Sequence, residues 1–139
     1  WDIVNQMARF GILMVDLNYL KRINDSFGHE NGDAYIKNMC KMICDIFAHS
    51  PVYRIGGDEF VVILENRDLE SAGDLLKKMQ NQIEELQNNK DLEAWERLSA
   101  AAGLVFCDSN IDENTDSVLK RADKAMYENK KAMKAVRKD

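Results

Sequence analysis

The feature that most constrains the fold is a short apolar run, Gly11 to Val15, cut off abruptly by Asp16. A continuous run of this length fits a central strand buried on both faces, and the carboxylate that follows it would stand at the edge of a sheet. The same run sets a limit. The longest apolar stretch, Phe10 to Val15, falls far short of the roughly 20 residues that span a bilayer. No direct membrane contact is expected of this segment.

The spacing of apolar residues predicts what surrounds that strand. From Asn31 onward Ile36, Met39, Cys40, Ile43, Ile46 and Phe47 recur at three and four, which is one face of a helix ending before Pro51. Val52 to Ile55 and Phe60 to Leu64 read as two antiparallel strands joined by Gly56, Gly57, Asp58 and Glu59, a hairpin with a glycine-dependent turn. Leu69, Ala72, Leu76, Met79, Ile83 and Leu86 predict a second long helix, which the polar Asn88, Asn89 and Lys90 interrupt. Leu98 to Cys107 reads as a strand although Ala100 to Ala102 favours helix, and Asp108 to Asp116 as an acidic loop. Thr115 or Asp116 would cap a last helix carrying Val118, Leu119, Ala122, Ala125 and Met126 on one face. The expected fold class is α+β, an antiparallel central sheet flanked by helices.

A chain of 139 residues, 45% apolar and 31% charged, fits one soluble domain with one core. Nineteen Lys and Arg against 24 Asp and Glu leave a formal charge of −5. General electrostatic attraction to nucleic acid or anionic lipid does not follow, so any anion site must be local. Cys40, Cys44 and Cys107 cannot all pair, which points to a reducing cytoplasm rather than a disulfide framework. Cys40 lies on the apolar stripe and is expected in the core, not in a metal site with Cys44, and the methionines read as packing. The chain opens on Trp1-Asp2 without an initiator Met or a signal pattern, as a piece of a longer protein would.

The chemistry is suggested by two carboxylates at strand ends, Asp16 after the first strand and Asp58 in the hairpin turn. Neighbouring strands could bring them together, where they would repel unless a cation sat between them. Hard oxygen ligands around a nucleotide favour Mg²⁺. Gly56 and Gly57 have no Cβ, so a phosphate could approach the turn closely.

The string Arg54-Ile55-Gly56-Gly57-Asp58-Glu59-Phe60 contains the Gly-Gly-Asp-Glu-Phe signature of the GGDEF family, the bacterial diguanylate cyclases. Upstream, the run Asp16 to Asp33 resembles the family's D-x-D-x-F-K-x-I-N-D-x-x-G-H-x-x-G-D motif, and Arg121 to Lys130 resembles its closing helix. Residues 1–139 are thus identified as a GGDEF domain. The resemblance implies a fold like the palm of nucleotidyl cyclases and some polymerases. It also implies condensation of two GTP into cyclic di-GMP with loss of two pyrophosphates, one GTP being held by each of two facing domains. A transient or sensor-driven homodimer is expected, in the cytoplasm, within a signalling protein that can itself be membrane-anchored.

Carried over residue by residue, Asp16, the carbonyl of Leu17 and Asp58 would hold Mg²⁺ or Mn²⁺. Asp58, Glu59 and Lys21 would be catalytic, with Asp58 as proton acceptor and the Lys21 ammonium facing developing phosphate charge. Asn24 and Asp33 would pair with guanine, whose N1–H and amino group both donate. His29, Gly56, Gly57, Arg54, Lys130 and Lys134 complete the expected GTP contacts.

Several positions depart from the family pattern. Asn18 stands where the motif has Asp, Leu20 where it has Phe, and Lys134 where it has Arg, which keeps charge but loses a bidentate fork. The opening D-x-L-T-x-L-x-N segment is absent from Trp1 to Phe10. These departures leave a second reading, a weak or inactive module that binds GTP or a partner and regulates. The family's inhibitory Arg-x-x-Asp motif falls on Phe47, Ala48, His49 and Ser50, so no inhibitory product site is expected.

Overall fold

The computed structural model describes residues 9–136. Residues 1–8, most of the stretch that lacks the family's opening segment, lie outside the described residues, as do residues 137–139.

Strand β1 (Gly11–Leu17) is followed by helices α1 (Leu20–Phe27) and α2 (His29–Ile46), then by strands β2 (Val52–Arg54) and β3 (Glu59–Leu64). A short helix α3 (Asn66–Glu70) and the long α4 (Ala72–Asn88) lead through a 3-10 turn at Ala94–Glu96 to β4 (Ala100–Phe106) and α5 (Thr115–Val136). The four strands form one sheet in the order β2-β3-β1-β4, and every neighbouring pair is antiparallel. This is the expected α+β class.

All seven residues of β1 are buried, as the continuous apolar run required. Side chains alternate across the sheet, so each face of β1 has its own cover. Leu13, Val15 and Leu17 pack with Tyr35, Met39 and Ile43 of α2 and Met79 and Ile83 of α4. Ile12 and Met14 pack with Val118, Ala122 and Met126 of α5. Asp16 shares the parity of Ile12 and Met14 and therefore stands on the α5 face.

Helix α5 approaches β4 unusually closely. A Cβ placed on Gly103 would collide with the main chain of Met126, Ala122 and Ala125, so the two backbones meet there without an intervening side chain. Ala101 shares that face and packs with Val118, Ala122 and Met126, while Ala100 and Ala102 pack on the opposite face, so tertiary packing on both sides overrides the helix propensity of the alanine run.

The structure differs from the sequence reading in several places. Asp16 lies inside β1 rather than after it, because pairing with Ala100 carries the strand on to Leu17. Helix α1 was not foreseen: among its eight residues only Ile23 is buried, too few to mark a stripe. Gly28, at φ 90°, makes the corner into α2, which begins at His29 rather than Asn31. The single helix expected from Leu69 is broken at Ser71 into α3 and α4. The cap of α5 is Asn114, whose Oδ1 accepts the Ser117 N–H at 3.0 Å, and not Thr115 or Asp116. Trp95, beyond the polar residues that end the second long helix, is half-buried and meets the Phe27 ring edge-on at 5.5 Å.

Candidate active site

The antiparallel pairing of β1 with β3 places Asp16 directly opposite Glu59. The Leu17 N–H donates to the Asp58 carbonyl at 2.8 Å, and the Ile55 N–H donates to the Glu59 carbonyl at 3.0 Å, which closes the turn. As a result Asp16, Asp58 and Glu59 each offer a carboxylate oxygen within 4.8 Å of the others. Asp16 is only 7% exposed, while Asp58 and Glu59 are half-buried.

Crowding acidic groups in a partly dry site has an electrostatic signature. Burial pushes the Asp16 carboxyl above its ordinary value and nearby Asp58 adds to this, although the hydrogen bond from Lys130 works against it. Glu59 is raised as well, by burial first and then by Asp16 and Asp58. Lys130 Nζ lies 2.6 Å from Asp16 Oδ2 and supplies one positive charge against three carboxylates. Asp16 Oδ1 is buried with no hydrogen-bond partner among the described residues. An orphaned carboxylate oxygen beside two further hard oxygen donors fits a divalent cation of the Mg²⁺ type.

The glycine turn corrects one expectation and strengthens another. Neither Gly56 nor Gly57 has positive φ, and a Cβ added at Gly57 would meet nothing within 4 Å. At Gly56 the nearest atom would be Glu59 Cβ at 3.8 Å, an ordinary contact. The turn is therefore not glycine-dependent for its own backbone. What the glycines leave is open space over an exposed main chain beside the carboxylates, as close approach by a phosphate requires. Arg54 does not reach outward in this structure. Its Nη2 donates to the Gly57 carbonyl at 2.8 Å and its Nε to the Gly56 and Gly57 carbonyls, so it braces the turn.

The remaining expected residues fall around this centre. Asn24 lies over Gly32, where the missing Cβ makes room for its side chain, and this brings it beside the residue preceding Asp33 on α2. Lys21, His29, Asp33 and Lys134 are exposed and make no ion pair among the described residues; Lys134 sits one turn beyond Lys130. The positions of the family's inhibitory motif serve the fold. Phe47 is buried, and the His49 N–H and Ser50 hydroxyl donate to the buried Asp68.

Two polar clusters were not foreseen. Asn18, which stands where the family motif has Asp, is 2% exposed, and its Nδ2 donates to Ser99 Oγ at 3.0 Å and to Met133 Sδ at 3.7 Å. The Tyr35 hydroxyl, buried on α2, donates to the Asn18 carbonyl at 2.8 Å and accepts the Ser99 N–H at 3.1 Å. A tyrosine among aliphatic residues on the inward face of a helix was the available signal. The second cluster is Asp112 with Arg121, closed by Ser117 and the Asp108 N–H. Arg121 also donates to the Phe106 carbonyl at 2.6 Å, which ties the start of α5 to the end of β4.

Among the described residues no helix is long and apolar enough to cross a membrane. Residues 1–135 match the family model described as diguanylate cyclase, GGDEF domain. Diguanylate cyclase A of Treponema denticola is 33% identical over 122 residues, covering 86% of this chain and 32% of that protein. Diguanylate cyclase DgcP of Escherichia coli is 33% identical over 121 residues, covering 86% of this chain and 35% of its own length. The chain thus spans about a third of these relatives. Among solved structures, the active GGEEF domain of a diguanylate cyclase from Vibrio cholerae superposes with a TM-score of 0.78 at 25% identity, covering 94% of this chain and 82% of that one. With the signature turn at the sheet edge, the carboxylates it gathers and a match over nearly the whole sequence, this chain belongs to the GGDEF family of diguanylate cyclase domains.

Proposed function

We propose that this domain is an active diguanylate cyclase that condenses two GTP into cyclic di-GMP, with one GTP on each of two facing copies. The observation that carries the reading is the orphaned Asp16 Oδ1 amid three converging carboxylates, next to a glycine turn whose own backbone does not require glycine. Asp16, Asp58 and the Leu17 carbonyl, with Glu59 beside them, would hold Mg²⁺. When bound, the ion neutralises charge on the triphosphate.

The chain's own residues do the rest. The main chain of Gly56 and Gly57 cradles phosphate oxygens, with Arg54 keeping the turn in shape. Lys130 and Lys134 on α5, and Lys21 on α1, bring positive charge toward the phosphates. Asp33 accepts from guanine N1–H and the exocyclic amine, and Asn24 gives and takes a hydrogen bond beside it. This pairing disfavours adenine, whose N1 has no proton to share with a carboxylate. As the 3′-oxygen of one GTP bonds to the α-phosphorus of the other, the bond to the β-phosphate breaks and pyrophosphate leaves. The hydroxyl proton passes to Asp58. Supply of GTP places this activity in the cytoplasm. Product inhibition through the Phe47 to Ser50 positions is absent in this reading.

The test is product analysis after incubation with GTP and Mg²⁺. Cyclic di-GMP with two pyrophosphates per molecule is expected. GTP binding without turnover would instead establish the regulatory module, a reading favoured by Lys134 in place of a forked arginine.

A further inference from the structure

The end of β1 that carries the metal ligands is fixed by a buried polar knot, and one residue of it comes from the helix that carries Asp33. The Asn18 N–H donates to the Ser99 carbonyl at 2.8 Å, the Tyr35 hydroxyl donates to the Asn18 carbonyl at 2.8 Å, and the Ser99 N–H donates to the Tyr35 hydroxyl at 3.1 Å. Tyr35 is 1% exposed, so water does not compete for these bonds. Its hydroxyl, pushed up to about 12 by burial, keeps its proton across the physiological range and remains a donor.

The geometry on either side of the knot makes it consequential. Immediately before it stand Asp16 and Leu17, and immediately after it Tyr19 is held at φ 69°, a left-handed conformation that a tyrosine adopts only when its surroundings impose it. That kink turns the chain from β1 into α1 and so aims Lys21 and Asn24. Tyr35 follows Asp33 by two residues on α2. A single hydroxyl therefore joins the helix that bears the base reader to the strand end that bears the cation ligands.

We propose that Tyr35 is a positioning residue for the cation end of this site, its hydroxyl setting where Asp16 and the Leu17 peptide stand relative to α2. The inference rests on the Mg²⁺–GTP reading of the site, and it assigns Tyr35 no contact with the substrate. Replacing the hydroxyl by hydrogen leaves the Asn18 carbonyl and Ser99 amide short of a partner, freeing the strand end while the ring still fills the core.

The experiment measures Mn²⁺ affinity by electron paramagnetic resonance in the presence of a non-hydrolysable α,β-methylene GTP analogue. Wild type, Tyr35→Phe and Asn38→Ala are compared. Asn38 lies on the same helix and donates to the Trp95 carbonyl at 3.0 Å, so its loss removes a hydrogen bond of α2 away from the site. Tyr35→Phe is expected to weaken Mn²⁺ binding about tenfold, the equivalent of one lost hydrogen bond, while Asn38→Ala stays within about twofold. Incorporation of p-aminophenylalanine at position 35 restores a donor and is expected to recover most of the affinity, a readout that stands even where the Phe variant folds poorly. Equal Mn²⁺ affinity in wild type and Tyr35→Phe, equal weakening in the two variants, or no rescue by the amine would overturn the proposal. Absence of Mn²⁺ binding in the wild type would overturn the GTP-site reading itself and is recognised by that control alone.

Discussion

The two carboxylates proposed to hold the cation, Asp16 and Asp58, are held in opposite ways. Asp58 sits in an exposed turn shaped by local bonds, with Arg54 bracing the carbonyls of Gly56 and Gly57. Asp16 sits at a buried strand end, paired across β1 and β3, clamped by Lys130 and backed by the Tyr35 knot. The turn is cheap to alter and close to solvent, and the strand end is expensive to alter and dry. The contrast separates chemistry from architecture: a change in the turn should be read in rate, and a change behind β1 in stability as well.

The largest effect that tests this contrast is expected at Asp58. Asp58→Asn should lower turnover on the order of 10³-fold, the scale of losing a charged ligand at developing phosphate charge, with little change in melting temperature. Asp16→Ala should lose a similar factor in rate and also destabilise the fold, because it empties a buried position at the strand end and removes the group that Lys130 meets at 2.6 Å. Steady-state kinetics beside thermal melts would break the comparison if both variants behaved alike.

Next in size is Asp33→Ala, at an exposed position of α2, expected to weaken GTP binding by about 1 to 3 kcal/mol, the cost of unpaired guanine donors. Calorimetry should show this loss for GTP but not for ATP, and equal GTP affinity in the two proteins would remove Asp33 from base reading.

Arg121→Met sharpens the other side of the contrast. The Arg121 hydrogen bond, above all, holds the Asp112 carboxyl well below the usual carboxylate range. A depressed acid contributes stability that is present above its unfolded value near 3.8 and is lost as pH falls through the folded value. Without Arg121 that loss begins at higher pH, so the acid-unfolding midpoint should move up. At neutral pH the cost should be about 2 to 3 kcal/mol, discounted for the partial exposure of the arginine, with the proposed turnover of the folded protein largely kept. Circular dichroism across a pH series measures both.

The smallest effect is expected at the exposed Ala48 and His49, which follow the buried Phe47. Calorimetric titration with cyclic di-GMP should show no inhibitory product site there, and His49→Ala should change nothing. Binding of two or more product molecules, lost in that variant, would overturn the expectation.

Legibility in the sequence followed the same division. The long helices were visible because each buries one regular stripe, β1 and β3 because each is a nearly continuous buried run, and β2 because the turn that joins it to β3 announced itself as a contiguous signature. Helix α1, with Ile23 as its one buried residue, carries no period to detect. Glu59 was read as catalytic, and only the β1–β3 register shows that it completes the carboxylate cluster opposite Asp16. The roles of Asn18, Tyr35 and Ser99 depend on contacts between residues up to 81 positions apart, which local pattern does not encode.

Gly103 has a reach that its chemistry does not suggest. Because the main chains of α5 and β4 touch at that point, it works as the stop against which the helix is seated. Asn129 and Lys130 hang from the next turn, one latching the Ala102 N–H at 2.9 Å and the other meeting Asp16 at 2.6 Å. A single methyl at position 103 would lift the seat and draw both side chains off their marks. The charge balance around Asp16 is thus gauged by a residue with no side chain at all.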